Sequence, residues 1–398
     1  MISSSWDITN DHFADLLRKL AFDYYKWDIY VSGRLKIIPQ SLIIEQDEYQ
    51  EALKVCLAIA EILSSLEKKI KTNREVLRKL AIPEKTADLI VKEGESEWQL
   101  ARYDLFRTAD GNWILSEFNE DVPGGFNESI GIPELLSSHF SGYSFENFFK
   151  KQFQECFCDI QGVVGLMYAS GYSEDLQHMA ILEALLKASG KQTLYCTPAQ
   201  LVFRRGIAYM NDTPIEALIR FYPGEWFDML PNYNHWQKAI SKLKILNPLS
   251  RLIRQSKNLF ALWNEDSFLD REQKDFIRSV TPETYFFGEV KDKFQHFPKE
   301  EWVIKHAFGR MGDSVTIGAL VTQETWEKTW DFAAKNAGEF TLQKKFEVAT
   351  TSFNGSAMYP ALGVYLINNQ FAGFYSRVCE KPFLTHEACY VPTLVRVS

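Results

Sequence analysis

The stretch running Ala101-Arg-Tyr-Asp-Leu-Phe106, Thr108-Ala-Asp-Gly-Asn112 and Trp113-Ile-Leu-Ser-Glu-Phe-Asn119 decides how this chain is read. Two apolar runs flank a segment rich in turn formers, so the pattern predicts a β-hairpin. Arg102 and Asp104 are two apart and share a face of their strand; Glu117, Asn119 and Asp121 share a face of the next. If both faces line one cleft, Asp104, Glu117 and Asn119 gather several oxygens around one point, which is what a hard cation such as Mg²⁺ takes. The same alternation also suits the solvated face of an exposed hairpin. Spacing alone leaves both readings standing.

Before the hairpin, Leu53, Val55, Cys56, Ile59, Ile62 and Leu63 recur three and four apart. That periodicity predicts a helical N-terminal region over 1–96, with the hairpin segment at 97–145. After it, an apolar run from Val163 to Ala169, helical spacing from Glu174 to Ser189, a stop at Gly190 and a second run from Gln192 to Cys196 form a βαβ-like unit. Residues 146–240 therefore read as a central α/β lobe. Gly165, Ser170, Gly171 and Ser173 do not match a dinucleotide fingerprint. The remaining stretch, 241–398, alternates short strand-like and helical pieces and forms a last lobe.

That lobe holds a second constellation. A strand-like Trp302-Val-Ile-Lys305 leads to a loop with Gly309 and Gly312, then to an apolar run from Val315 to Ile317. A lysine supplies a point charge, and glycines let backbone N–H groups approach phosphate oxygens. An ordinary hairpin with a snorkelling lysine has the same pattern. Gln343, Lys344 and Lys345 follow a short apolar run and offer edge contacts and charge to a nucleotide. Arg377 lies beyond an Asn-Asn-Gln turn and is placed to meet developing negative charge, or else is a surface arginine.

Composition removes other classes. The chain has 398 residues, 46% hydrophobic and 14% aromatic, enough for several packed lobes. Its 44 Lys and Arg against 52 Asp and Glu leave a charge of −8, which argues against a nucleic-acid or membrane-surface binder. No apolar run approaches the roughly 18 residues that span a bilayer, and the first residues lack a leader pattern, so a cytoplasmic, soluble protein is expected. Six scattered cysteines show no metal-like pairing and are expected to be reduced, with Cys156 and Cys158 as buried structural thiols. Zinc spacings and a Gly-x-Ser-x-Gly elbow are absent from the sequence.

Four blocks in order resemble the synthetase part of the glutathionylspermidine synthase family of ATP-grasp ligases, over about Glu97 to Val397. They are Arg102-Tyr-Asp104 with Ser116-Glu-Phe-Asn-Glu-Asp-Val-Pro123; Phe221-Tyr-Pro-Gly-Glu-Trp-Phe227; Trp302-Val-Ile-Lys305 with Gly309-Arg-Met-Gly312; and Gly363 through Pro392. The resemblance implies an α+β ATP-grasp fold that uses ATP and Mg²⁺ to join a carboxylate to an amine through an acyl phosphate. It puts the metal ligands on Asp104, Glu117 and Asn119, and the substrate-side and transition-state arginines on Arg102 and Arg377. Lys257 and Lys305 become the ATP lysines, Gly309 and Gly312 the phosphate loop, and Gln343 with Lys344 the adenine segment. Lys305-His306, Met311, and Val122 and Gly124 in place of hydroxyl residues depart from the family pattern. These departures imply a changed substrate pair, such as an amino acid, peptide or carrier-bound acyl group with an amine. They also admit a second reading, an ATP-binding regulatory or interaction protein without ligase turnover.

Overall fold

The computed structural model describes residues 1–265, 268–310 and 314–397. At its centre the two apolar runs form antiparallel strands Leu100–Arg107 and Trp113–Asn119, closed by a turn in which Gly111 has a φ of 84°. The first of these also pairs with Ser356–Ile367, which pairs in turn with Gln370–Cys379. Period-two alternation does the sorting. Tyr103, Leu105, Leu115 and Phe118 turn into a core shared with Ile59, Leu63 and Leu66 of the helix Gln46–Ile70. That helix begins with a capping box between Glu45 and Glu48 and presents the 3–4 spacing read from sequence.

The opposite face of the hairpin is not solvated: Arg102 and Asp104 are 7% and 1% exposed. Arg102 sits opposite Asn119 and Asp104 opposite Glu117, and a bulge follows in which Ser116 is the extra residue. Gly363 lies beside Asp104 on one side and Tyr375 on the other. A Cβ there would stand 2.4 Å from the Tyr375 carbonyl oxygen and 3.1 Å from both Arg102 Cδ and Asp104 Oδ1. Only glycine lets side chains from the flanking strands meet across the middle one.

The βαβ unit is as read: Val163–Tyr168, helix Ser173–Ala188 and Thr193–Cys196, with the two strands parallel. Thr213–Phe221 extends the sheet in parallel and delivers the Phe221-Tyr-Pro-Gly-Glu segment to its carboxyl end. A third sheet runs Thr284–Phe286, Phe340–Lys344, Trp302–His306, Val315–Ile317, all antiparallel.

Three expectations need correction. The first hundred residues also contain strands: Gln40–Ile44 pairs antiparallel with Ile2–Ser5 and parallel with Thr393–Arg396. Being buried throughout, Gln40–Ile44 shows no alternation, and its partner is a distant strand. Asp121 does not continue the Glu117 and Asn119 face, because the strand ends at Asn119. Cys158 is exposed and Cys156 half-buried, since Phe149, Phe153 and Phe157 take the inward face of that helical segment. All six cysteines are free. No helix among the described residues is long and apolar enough to cross a membrane.

Candidate active site

The three sheets converge on a cavity of about 390 Å³. Its best-defined feature is a knot of charge around Asp104. Arg102 donates from Nε to Oδ1 at 2.8 Å and from Nη2 to Oδ2 at 3.1 Å, a bidentate pair between residues two apart on one strand. Asn119 Nδ2 donates to Oδ2 at 3.1 Å, and Arg377 Nη2, from a strand 273 residues away in sequence, reaches the same oxygen at 2.6 Å. Burial alone would raise the Asp104 carboxyl, but Arg102 and then Arg377 outweigh it and hold it down to about 2. Arg102 Nη1 continues to the Gly124 carbonyl at 2.8 Å, which also accepts from the Tyr365 hydroxyl at 2.5 Å.

Across the cavity lie the lysines. Lys257, in the bend between helices Leu252–Gln255 and Leu259–Leu262, donates from Nζ to the Gly309 carbonyl at 2.6 Å and pairs with Glu117 Oε1 at 2.9 Å. Lys305 is buried on the strand Trp302–His306. Burial and then the like charge of Lys257 pull its ammonium down to about 8, with Glu117 opposing.

Asp121 ties the lobes together. Its Oδ1 accepts from Arg220 at 2.6 Å, and its Oδ2 accepts from Gly224 N and from Arg310 Nη2, each at 3.0 Å. Arg310 also pairs with Glu225, so the glycine-loop segment is pinned to the Phe221-to-Phe227 segment. Gln255 accepts from Glu120 N and Asp121 N at 3.0 and 3.1 Å, fixing the chain just after Asn119.

Arg102, Asp104, Glu117, Asn119 and Arg377 thus share one cavity with Lys257, Lys305, Gly309 and Gln343. Gln343 donates to Thr284 Oγ1 at 2.8 Å. Lys344 is placed differently. It is exposed, on the other face of its strand, while Lys345 lines the cavity, because alternate residues point opposite ways. Gly312 and Met311 lie outside the described residues. Sequence reasoning missed Arg310 and Asp121 as a latch, Gln255, and a wall built by Lys26, Asp28, Glu128, His178 and Tyr375. His178 is held down to about 4 by burial; its Nδ1 bonds the Glu174 carbonyl, and its Nε2 accepts from Gly125 N at 2.8 Å. No spacing rule could have joined residues 26 and 28 to 377.

Among the described residues no three His, Cys, Asp or Glu side chains cluster as a metal site. Asp104, Glu117 and Asn119 instead offer two carboxylates and one amide. Asp104 is kept ionised, and Asn119, donating its N–H to Asp104, retains its carbonyl oxygen as a hard donor. Such an all-oxygen set fits Mg²⁺, which binds through one or two carboxylates plus substrate phosphates.

A glutathione synthetase like-effector from Globodera pallida aligns over 95% of this chain and 97% of its own, with a TM-score of 0.62 and 13% identity. That similarity concerns the fold. A putative gamma-glutamylcysteine synthetase from Methylobacillus flagellatus KT covers 78% of this chain and 83% of its own at 13% identity and a TM-score of 0.45. No curated protein matches. The model of the family described as glutathionylspermidine synthase preATP-grasp matches residues 11–396, so the N-terminal region belongs to the match as much as the hairpin and the lobes do. The chain is therefore a member of the glutathionylspermidine synthase preATP-grasp family.

Proposed function

We propose that this protein is an ADP-forming, ATP-dependent carboxylate–amine ligase with an ATP-grasp nucleotide site. The observation that carries this reading is that Arg377 reaches Asp104 inside the same cavity that Lys257 and Lys305 line. Two lysines opposite two arginines suit a substrate that is polyanionic at one end and carries a carboxylate at the other. In the proposed reaction a carboxylate oxygen attacks the γ-phosphorus of ATP and ADP leaves. The amine nitrogen then attacks the acyl carbon, phosphate leaves, and the nitrogen gives its proton to solvent. Lys305 and Lys257 bind phosphate oxygens; Gly309, with no Cβ, lets backbone approach them; Gln343 edges the base. Arg377 steadies charge on the acyl phosphate and the tetrahedral species, and Arg102 orients the carboxylate. Mg²⁺, held by Asp104, Glu117 and Asn119, would supply charge neutralisation for phosphoryl transfer.

The substrate pair differs from glutathione and spermidine in this reading. Val122 and Gly124 line the cavity without hydroxyls, and the Gly124 carbonyl is already engaged by Arg102 and Tyr365. A coupled assay of ADP release with ATP, Mg²⁺ and pooled amino acids, small peptides and amines tests the reaction. Substrate-stimulated ADP supports it; tight ATP binding with no stimulated release would favour a regulatory nucleotide-binding protein.

A further inference from the structure

Behind the cavity, on the core side of the hairpin, lies a buried network of charge to which the proposed reaction assigns no task. Its hub is Glu120, 0% exposed and next in sequence to Asn119. Oε1 of Glu120 accepts from the Tyr103 hydroxyl at 2.5 Å, and Oε2 accepts from Gln99 at 2.9 Å and from Arg254 Nη1 at 3.1 Å. Arg254 also donates from Nε to Glu67 Oε2 at 2.6 Å, an oxygen that accepts from Arg251 at 2.5 Å as well. Glu67 belongs to the 25-residue helix Gln46–Ile70, so the network is rooted in a long, well-buried element.

The places of these residues in the chain give the network its meaning. Arg254 and Gln255 are consecutive at the end of helix Leu252–Gln255, and both hold residue 120: Arg254 bonds its carboxylate, and Gln255 accepts from its backbone N–H at 3.0 Å. Lys257 follows two residues later. Tyr103 lies between Arg102 and Asp104 on one strand, with its side chain on the opposite face. One buried carboxylate therefore touches the residue between Arg102 and Asp104, follows Asn119, and is gripped by the helix that leads to Lys257. Buried ion pairs often add little net stability over apolar packing of the same volume, but their hydrogen bonds fix distance and direction, which non-directional apolar contacts do not.

We propose that Glu120, through Arg254, is a positioning residue that sets Asn119 on the metal side and Lys257 on the nucleotide side in register with each other. The inference rests on the ligase reading and deepens it. Without the Glu120 carboxylate, Arg254 keeps Glu67 and Ser64, and the helix leading to Lys257 loses one of its two grips on the end of the hairpin. A charged contact displaced by about 1 Å loses up to about a hundredfold of its effect, so a small slip between the two sides is enough to register.

Isothermal titration of the full chain with a non-hydrolysable ATP analogue, with and without Mg²⁺ and well below each variant's melting temperature, tests this. Glu120→Gln keeps the size of the side chain and an acceptor for Tyr103 but removes the charge that faces Arg254. It should weaken binding of the analogue without Mg²⁺ by about tenfold, and cut the gain in affinity that Mg²⁺ brings by about threefold or more. In a Lys257→Met background without Mg²⁺ the same substitution should cost less than about twofold, because the lysine it positions is gone. A purely structural role would lower the melting temperature and leave the affinity of the folded protein unchanged. Arg254→Lys keeps the charge but cannot span Glu67 and Glu120 with one planar group, and takes its place in the cycle if Glu120→Gln does not fold. Unchanged affinity in the folded variants, an equal factor in both backgrounds, or an unaltered Mg²⁺ gain would overturn the proposal. The unaltered chain separates the two readings: an analogue that does not bind, or that Mg²⁺ does not strengthen, sinks the ligase, while normal binding without the coupling sinks only the role of Glu120.

Discussion

Around Asp104 every strong charge faces its opposite: one carboxylate receives Arg102, Asn119 and Arg377. At Lys305 burial weighs most, and among the described residues the like charge of Lys257 comes next, with Glu117 opposing both. In the first region a cation would share Asp104 with Arg102 and Arg377; in the second two lysines stand against the single carboxylate of Glu117. In the proposed reaction the paired acid and arginines position groups, whereas the buried, like-charged lysines would gain a partner when phosphate binds. The two regions should therefore answer mutation with opposite signs in stability.

The largest effect is expected from Asp104→Ala, which strands the buried Arg102 and the half-buried Arg377. Thermal or urea unfolding should register a loss of about 3–5 kcal/mol, with turnover abolished. A variant as stable as the original would break the contrast at its stronger end. Lys305→Met should weaken ATP binding by about tenfold to a hundredfold, the loss of one charged contact, while leaving the melting temperature unchanged or higher. A clear drop in melting temperature would mean that Lys305 has a structural partner.

The pH dependence sharpens the same point. Lys305 is charged below about 8 and neutral above it. ATP favours the charged form, so affinity should fall as pH rises through that value, by up to about tenfold per unit, and Lys305→Arg should flatten the profile. For folding the sign reverses: above about 8 the unfolded chain binds the extra proton, so this group's contribution to stability rises with pH. Affinity titrations that show no change between pH 7 and 9 would contradict the lowered ammonium. The smallest effect belongs to Lys344→Ala, which should change ATP affinity less than about twofold because the side chain is exposed; Lys345→Ala, on the cavity side, should weaken it more. The reverse order would restore Lys344 to the site.

What was legible in the sequence follows from range. The hairpin could be read because its period and its Asp-Gly-Asn turn are local, and the βαβ unit because its helix and strands are consecutive. Parity within a strand is also local: it sets Gln343 and Lys345 on the cavity face and turns Lys344 away. The Asp121 latch and the Lys26–Glu128 wall were not legible, since each depends on contacts between segments a hundred residues or more apart. Burial decided between the two readings that spacing left open: the charge on the hairpin belongs to a paired cluster, with Arg102 and Asp104 buried, rather than to a solvated face.

The strand Thr393–Arg396 lies inside its sheet, between Gln40–Ile44 and Tyr143–Ser144. During synthesis Gln40–Ile44 emerges long before that neighbour exists, with one edge paired by Ile2–Ser5 and the other open. The sheet that clasps the N-terminal region to the rest can close only once residue 393 has left the ribosome. A nascent chain stalled earlier would carry an exposed apolar strand edge, the kind that recruits chaperones or pairs with a neighbouring copy. Closure of that sheet therefore waits on a strand some 350 residues further along the chain.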